Sequence, residues 1–248
     1  MPPRALRPVG AALVDKPAGP SSFALVGQLR RLTRARTGHT GTLDPFATGL
    51  LLLLSGAATR LAPCFVGLDK QYVADVDLTS TTTTGDPEGE PLESHPAPAA
   101  AELEAALEPL RGVVELPVPA ASAVKVGGER AYKLARRGVQ VEMPLRRSQV
   151  YALDVISYDG RTARLELHVG SGTYVRSIAA ALGGHCTALR RTAVGPFRIE
   201  EARPIDASAL LPIREVLGRL PAEAVQRVPE AVVAGVLALA DESGGEAA

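Results

Sequence analysis

Tryptophan is absent from the 248 residues, aromatics make up only 4%, and lysine supplies just four of the 27 basic residues. The two cysteines, Cys64 and Cys186, lie far apart and outside any Cys-x-x-Cys or Cys/His ligand spacing. That pattern excludes a disulfide framework and a structural zinc site, and it fits a reduced compartment. No apolar run approaches the ~18 residues of a membrane span. The opening stretch carries Arg4 and Arg7 but is followed by no apolar signal core. A soluble cytoplasmic protein is the expectation. Net charge is lacking too, with 27 basic residues set against 27 acidic, which by itself argues against a nucleic-acid partner.

The distribution of that charge argues the other way. Residues 199–248 hold nine acidic residues and four arginines, so residues 1–198 carry 23 basic against 18 acidic. The basic residues cluster at Arg30, Arg31, Arg34 and Arg36, at Arg136 and Arg137, at Arg146 and Arg147, and at Arg190 and Arg191. Such groups are either phosphate contacts, for which the guanidinium fork is suited, or solvated helix faces. Lys16, Lys70 and Lys125 sit beside turn or aromatic motifs in a chain that otherwise uses arginine. Either the compact geometry of an ammonium is specifically required there or the placement is chance.

At 46% apolar residues the chain can bury a sizeable core, as one large domain or a domain with an appendage. Ala11–Asp15 reads as a buried strand ending in the turn-forming Lys16-Pro17-Ala18-Gly19-Pro20, and Ser21 or Ser22 caps a helix to about Arg34. Leu50–Leu54 is short enough to be a buried strand, Ala57–Val66 looks helical, and Gln71–Leu78 alternates as a strand does. Thr79–Ala99 reads as a surface loop, Ala100–Leu110 as an amphipathic helix, and Glu129–Arg137 as a second short helix. Gln149–Tyr158 and Arg164–Val169 form a hairpin about Asp159-Gly160. Tyr174–Leu182 is helical and Ala193–Ile199 a strand, and helices over Asp206–Arg219 and Pro221–Leu239 follow. Strands mix with helices without a βαβ beat, so the expected class is α+β with a largely antiparallel sheet.

Two segments carry chemistry. Gly38-His39-Thr40-Gly41-Thr42-Leu43-Asp44-Pro45-Phe46-Ala47-Thr48-Gly49 puts glycines and polar side chains in one loop between apolar elements, where a ligand can approach the backbone closely. By spacing alone, Asp44-Pro45 fits a helix N-cap followed by proline at the first helical position. Gly170-Ser171-Gly172-Thr173-Tyr174-Val175-Arg176 resembles the start of a dinucleotide-binding turn, but Val175 stands where the third glycine belongs. Arg176, in the first turn of an apolar helix, requires an anionic partner if buried, and Asp44 is the attractive candidate.

Six segments in order resemble the TruB family of pseudouridine synthases. They are Val14-Asp15-Lys16-Pro17 with Gly19 and Ser21-Ser22; Gly38 to Gly49; Asp69-Lys70-Gln71-Tyr72; Ser122-Ala123-Val124-Lys125 with Tyr132; Gly172 to Arg176; and Leu189-Arg190-Arg191. They span roughly residues 10–200. The resemblance implies a pseudouridine synthase fold: a mixed, largely antiparallel central sheet flanked by helices. It also implies isomerisation of the T-loop uridine at position 55 of tRNA. It assigns Asp44 as the attacking carboxylate, Arg176 as its cationic partner, and Tyr72 as the residue stacked on the base and involved in proton transfer. Tyr174 and Leu189 become pocket walls, His39 the residue that replaces the extruded base, and Lys16 and Lys125 further substrate contacts. No cofactor and no metal are implied, because the reaction is redox-neutral and internal to one nucleotide. The partner is the T arm of tRNA, with no guide RNA and no membrane, and the family expectation is a monomer.

The expected organisation is a catalytic domain over residues 1–202 and a short helical appendage over 203–248. The last stretch is too short and too acidic for a complete PUA-type RNA-binding domain. Thr82 and Thr83 depart from the Thr-Asp-Thr pattern of relatives. Two rival readings are a tRNA-folding chaperone with secondary catalysis and a nucleotide-binding lyase using the Gly170–Arg176 turn.

Overall fold

A strand presents alternate residues to opposite faces, so an unbroken run such as Leu50–Leu54 is stable as a strand only when both faces are covered. The computed structural model, which describes residues 8–122, 124–131, 142–206 and 209–244, covers both. Strand β1 (Gly10–Lys16) pairs antiparallel with β3 (Thr48–Ser55), Leu13 lying opposite Leu52. Ala12, Val14, Leu51 and Leu53 pack on Leu25, Val26 and Leu29 of helix α1 (Ser22–Thr33). Ala11, Leu13, Leu50, Leu52 and Leu54 face the opposite way, into a core with Phe65 and Phe197. Helix α1 begins where expected, with the Ser21 hydroxyl accepting from the Ala24 amide. It ends at Arg34, which adopts a left-handed conformation.

The chain divides into two compact units, one built from the segment up to Lys70 together with that from Arg191 onward, the other from Gln71–Arg190. In the first unit β2 (Thr37–His39) also pairs antiparallel with β3, and α2 (Ala62–Val66) closes one face. The short β14 (Leu211–Pro212) lies on β1, Ala11 opposite Leu211. Helices α5 (Ile213–Gly218), α6 (Ala222–Val225) and α7 (Glu230–Gly244) follow it.

Ile213, Val216, Leu217, Ala224, Val228 and Val236 belong to the same core as Leu13 and Leu52. The boundary expected at 202/203 is therefore not one between compact units. These helices are too few to bury their apolar faces on one another, so they bury them on the β1–β3 sheet.

The second unit orders its strands β4 (Lys70–Asp77), β11 (Thr162–Val169), β10 (Leu145–Tyr158) and β7 (Gly112–Pro117). The first residue of β4 falls in the other unit. β10 pairs antiparallel with both β11 and β7. Asp159 closes the expected hairpin by accepting from the amides of Arg161 and Thr162 at 2.9 and 2.7 Å. Helices α3 (Ala100–Leu107) and α4 (Val175–Ala181) complete it. The fold is thus α+β, and every strand pairing with a described register is antiparallel.

Three expectations change. The Thr79–Ala99 loop contains a small hairpin, β5 (Ser80–Thr82) with β6 (Pro91–Ser94). Glu129–Arg130 is strand β9, paired with β8 (Lys125–Val126), and residues 132–137 of the expected helix lie outside the described residues. The strand expected over Ala193–Ile199 instead runs from His185 to Val194 as β12, followed by β13 (Phe197–Arg198).

Gly49 shows how tightly the first unit is closed. Its φ is +105°, and a Cβ there would fall on the main-chain oxygen and nitrogen of Arg191. Gly49→Ala is expected to cost about 3 kcal/mol or more, from left-handed strain together with overpacking. The midpoint of urea unfolding measures it; an unchanged midpoint would contradict the packing described.

Candidate active site

Peptide carbonyls crowd the inner side of the Gly38–Gly49 loop, and two buried cations collect them. Lys16 is 0% exposed and donates to the carbonyl oxygens of Pro17 at 2.9 Å, Pro45 at 3.0 Å and Ala47 at 2.6 Å. An ammonium has three N–H donors pointing in three directions, which suits this tripod better than a planar fork. Arg191, also buried, uses the fork where a fork fits. Its Nε donates to Leu50 O at 2.7 Å, and its Nη atoms donate to Gly41 O at 3.1 Å and Thr42 O at 3.4 Å. The clustering of Arg190 and Arg191 in the sequence fits either a phosphate contact or a solvated face. Burial and carbonyl partners make Arg191 an internal brace instead.

Asp44 sits on that scaffold, half-buried. Asp44-Pro45-Phe46-Ala47 is a turn, with the Ala47 amide donating to Asp44 O at 3.1 Å, and no helix follows. The helix-cap reading of Asp44-Pro45 is thereby replaced: proline at the second turn position fixes φ equally well for a turn. The loop is also tied to α1. The Ser22 hydroxyl donates to Leu43 O at 3.0 Å and accepts from the Leu43 amide at 2.9 Å.

His39 closes β2 opposite Leu53. Burial, reinforced by the charge of Arg191, holds its pKa below the ordinary histidine value, so the ring is neutral near pH 7. Its Nδ1 is buried and has no hydrogen-bond partner among the described residues. The Phe23 ring meets it edge-on, centroids 5.2 Å apart and planes at 83°.

Lys70, buried at the start of β4, donates to Val66 O at 2.8 Å and Leu68 O at 2.5 Å. Burial, and then the charge of Arg191, lower its pKa from 10.5 to about 8. The unfolded chain therefore holds a proton between about pH 8 and 10.5 that the folded chain has released. Folding stability contributed by this group rises with pH across that window and is absent below it. Lys70→Met should flatten the rise, as urea melts at pH 8 and pH 10 would show; parallel pH profiles for the two proteins would contradict it.

The second unit builds its own buried charge. Arg176, in the first turn of α4, and Asp86 are 3% and 5% exposed at their side chains and lie 3.1 Å apart. Arg176 also donates to Thr84 O at 2.7 Å and Ala121 O at 3.0 Å. Asp86 accepts from the Thr84 hydroxyl at 2.5 Å and the Glu88 amide at 3.1 Å. The requirement that a buried Arg176 find an anion is met within this unit by a residue that sequence reasoning had left in a surface loop. The missed signal was the polar density of Thr82-Thr83-Thr84-Gly85-Asp86.

Tyr72 on β4 and Leu189 on β12 are buried in neighbouring strands. Tyr174 precedes α4, with the Arg146 guanidinium 6.0 Å from its ring centre. A Cβ on Gly172 would meet that same guanidinium, the far end of an exposed side chain. Lys125 opens β8, and its side chain lies outside the described residues. Among the described residues no group of three or more His, Cys, Asp or Glu is placed to hold a metal ion, and no helix is long and apolar enough to cross a membrane.

The described site residues thus fall into two sets, Lys16, His39 and Asp44 in the first unit and Tyr72, Tyr174, Arg176 and Leu189 in the second. Comparison with known proteins gives the chain its class. The family described as TruB family pseudouridylate synthase, N-terminal domain, matches residues 30–175. The chain belongs to that family. It is 46% identical over 211 residues to tRNA pseudouridine synthase B of Xanthomonas campestris pv. campestris (strain B100), spanning 82% of this chain and 68% of that protein. It is 42% identical over 213 residues to tRNA pseudouridine synthase B of Mycobacterium sp. (strain KMS), spanning 81% and 72%.

Among solved structures, a chain in the crystal structure of a Cbf5–Nop10–Gar1 complex superposes with a TM-score of 0.59 at 28% identity. That alignment covers 76% of this chain and 50% of the other. The present chain therefore spans about half the length of the solved relative.

Proposed function

We propose that the chain isomerises the T-loop uridine at position 55 of tRNA to pseudouridine, with Asp44 as the attacking carboxylate. The observation that carries this reading is the Gly38–Gly49 loop, a turn bearing one carboxylate and braced from beneath by Lys16 and Arg191. Bracing of this kind fixes a reacting group before the substrate arrives, so little reorganisation is needed at the transition state.

In the reaction the N1–C1′ bond of the nucleotide breaks and a C5–C1′ bond forms. The C5 hydrogen leaves as a proton, N1 gains one, and no electrons are exchanged with a cofactor. Asp44 attacks at the base or at C1′, and Arg176 supplies the positive charge that favours the ionised carboxylate. Tyr72 stacks on the uracil, Tyr174 and Leu189 wall its pocket, and Lys125 contacts substrate. His39 fills the gap left by the extruded base; its neutral, half-buried ring suits stacking better than ionic contact. Lys16, with three N–H donors engaged by carbonyls, acts on the substrate through the loop. The chain acts as a monomer without a guide RNA, and Arg30, Arg31, Arg34 and Arg36, all solvent-exposed, contact RNA phosphates.

Tritium release from a T-arm stem-loop labelled at uridine C5 tests the proposal directly, because C5 becomes the glycosidic carbon and must lose its hydrogen. Stoichiometric release is expected. No release from the stem-loop or from full-length tRNA would leave RNA binding, not isomerisation, as the activity.

A further inference from the structure

Phenylalanine is scarce in this chain, with four residues. Phe65 and Phe197 are in the core, yet Phe23 is 74% exposed. A single exposed apolar ring is unremarkable alone, but three observations converge on it. It stands edge-on to His39, whose buried Nδ1 has no hydrogen-bond partner among the described residues. It also begins a stripe along α1. At 100° per residue, Gly27 and Arg30 fall within about 40° of Phe23 around the helix, and Arg34 follows as the left-handed residue that ends it. Finally, the stripe is basic: Arg30 and Arg34 are exposed, and the Arg31 guanidinium lies 3.7 Å from where a Cβ on the half-buried Gly27 would stand. An exposed aromatic ring followed by guanidinium groups over about 16 Å matches a nucleic-acid strand, with a base on the ring and phosphates on the arginines.

We propose that the Phe23 ring is a stacking platform for an unpaired base of the RNA substrate, beside His39, with Arg30 and Arg34 holding the phosphates of the adjoining strand. The inference rests on the tRNA reading above. It adds to it a binding residue and a path for the strand along α1. The ring serves twice: it packs at a steep angle against the His39 imidazole, and its exposed surface takes the base. Leucine would keep much of the apolar area without offering a π-face, whereas tyrosine would restore one.

The test compares wild type, Phe23→Leu, Phe23→Tyr and Arg30→Ala/Arg34→Ala for binding and turnover of a T-arm stem-loop across a salt series. Phe23→Leu is expected to weaken binding about tenfold, the loss falling in KM rather than kcat, and Phe23→Tyr to recover it. The double arginine variant should reduce the slope of log Kd against log salt by roughly 1.5, as two lost phosphate contacts require. Phe23→Leu should leave that slope alone. Phe23→Leu binding as tightly as wild type, with wild type active, overturns the platform and leaves the isomerase reading standing. A wild-type chain that binds no RNA overturns both.

Discussion

Asp44→Asn is expected to eliminate tritium release, lowering turnover by ~10³-fold or more, while the T-arm stem-loop still binds within about threefold of wild type. The amide matches the carboxylate in shape but carries no charge and is a poor nucleophile, so the loss falls on the chemical step. The main-chain supports described for the loop should remain. The Asp44 main-chain oxygen still accepts from Ala47, and the Lys16 tripod does not involve the side chain. A measurable rate in Asp44→Asn, with identity confirmed by mass spectrometry to exclude deamidation, would move the nucleophile elsewhere. An inactive variant that still promotes tRNA folding would instead support the chaperone reading as a second activity.

Arg191→Met should produce the largest loss of stability among side-chain truncations in the loop scaffold. The guanidinium is buried and satisfies the carbonyls of Gly41, Thr42 and Leu50. Methionine fills most of the volume but leaves these acceptors without their donors, at a cost of about 1–3 kcal/mol each where no water enters, so at least about 3 kcal/mol in all. Arg191→Lys should recover only part, because an ammonium cannot reproduce the planar fork. Urea unfolding gives the stability, and turnover of the surviving folded fraction gives the effect on Asp44. If Arg191→Met unfolds at the wild-type midpoint, the carbonyls are solvated in solution and the brace is not one.

Residues that act through periodicity or through a dense local motif were readable in the sequence; those that act through burial were not. The leucine run at 50–54 and the Ser21 cap announced β3 and α1 because their signals are local. The Gly38–Gly49 segment announced itself by composition. Arg191 and Arg176 did not reveal their partners, since an arginine on a surface and one buried against carbonyls or a carboxylate look alike in a linear chain. β12 was misplaced for the same reason: with Arg190 and Arg191 in its middle it resembles a charged loop until Arg191 is seen to point inward. Asp86 was hidden by a run of threonines that reads as surface. The final helices looked separable because nothing in their own pattern shows that Val216 and Val236 complete a core begun at Ala11.

The division of the first unit between two remote stretches sets an order of events during synthesis. The leucines of β3 leave the ribosome with Lys16 and Asp44 already nearby, but Arg191 follows only after the 120 residues Gln71–Arg190. At ~5–20 residues per second that interval lasts roughly 6–24 s. Through all of it the loop lacks its second cation, and one face of the leucine strand awaits the helices from Ile213 onward. A nascent chain arrested within that window carries Asp44 but not the Arg191 support of its loop, and exposes a strand prone to pairing with its own copies. Support for the loop and protection from aggregation are therefore acquired together, late, with the residues from Arg191 onward.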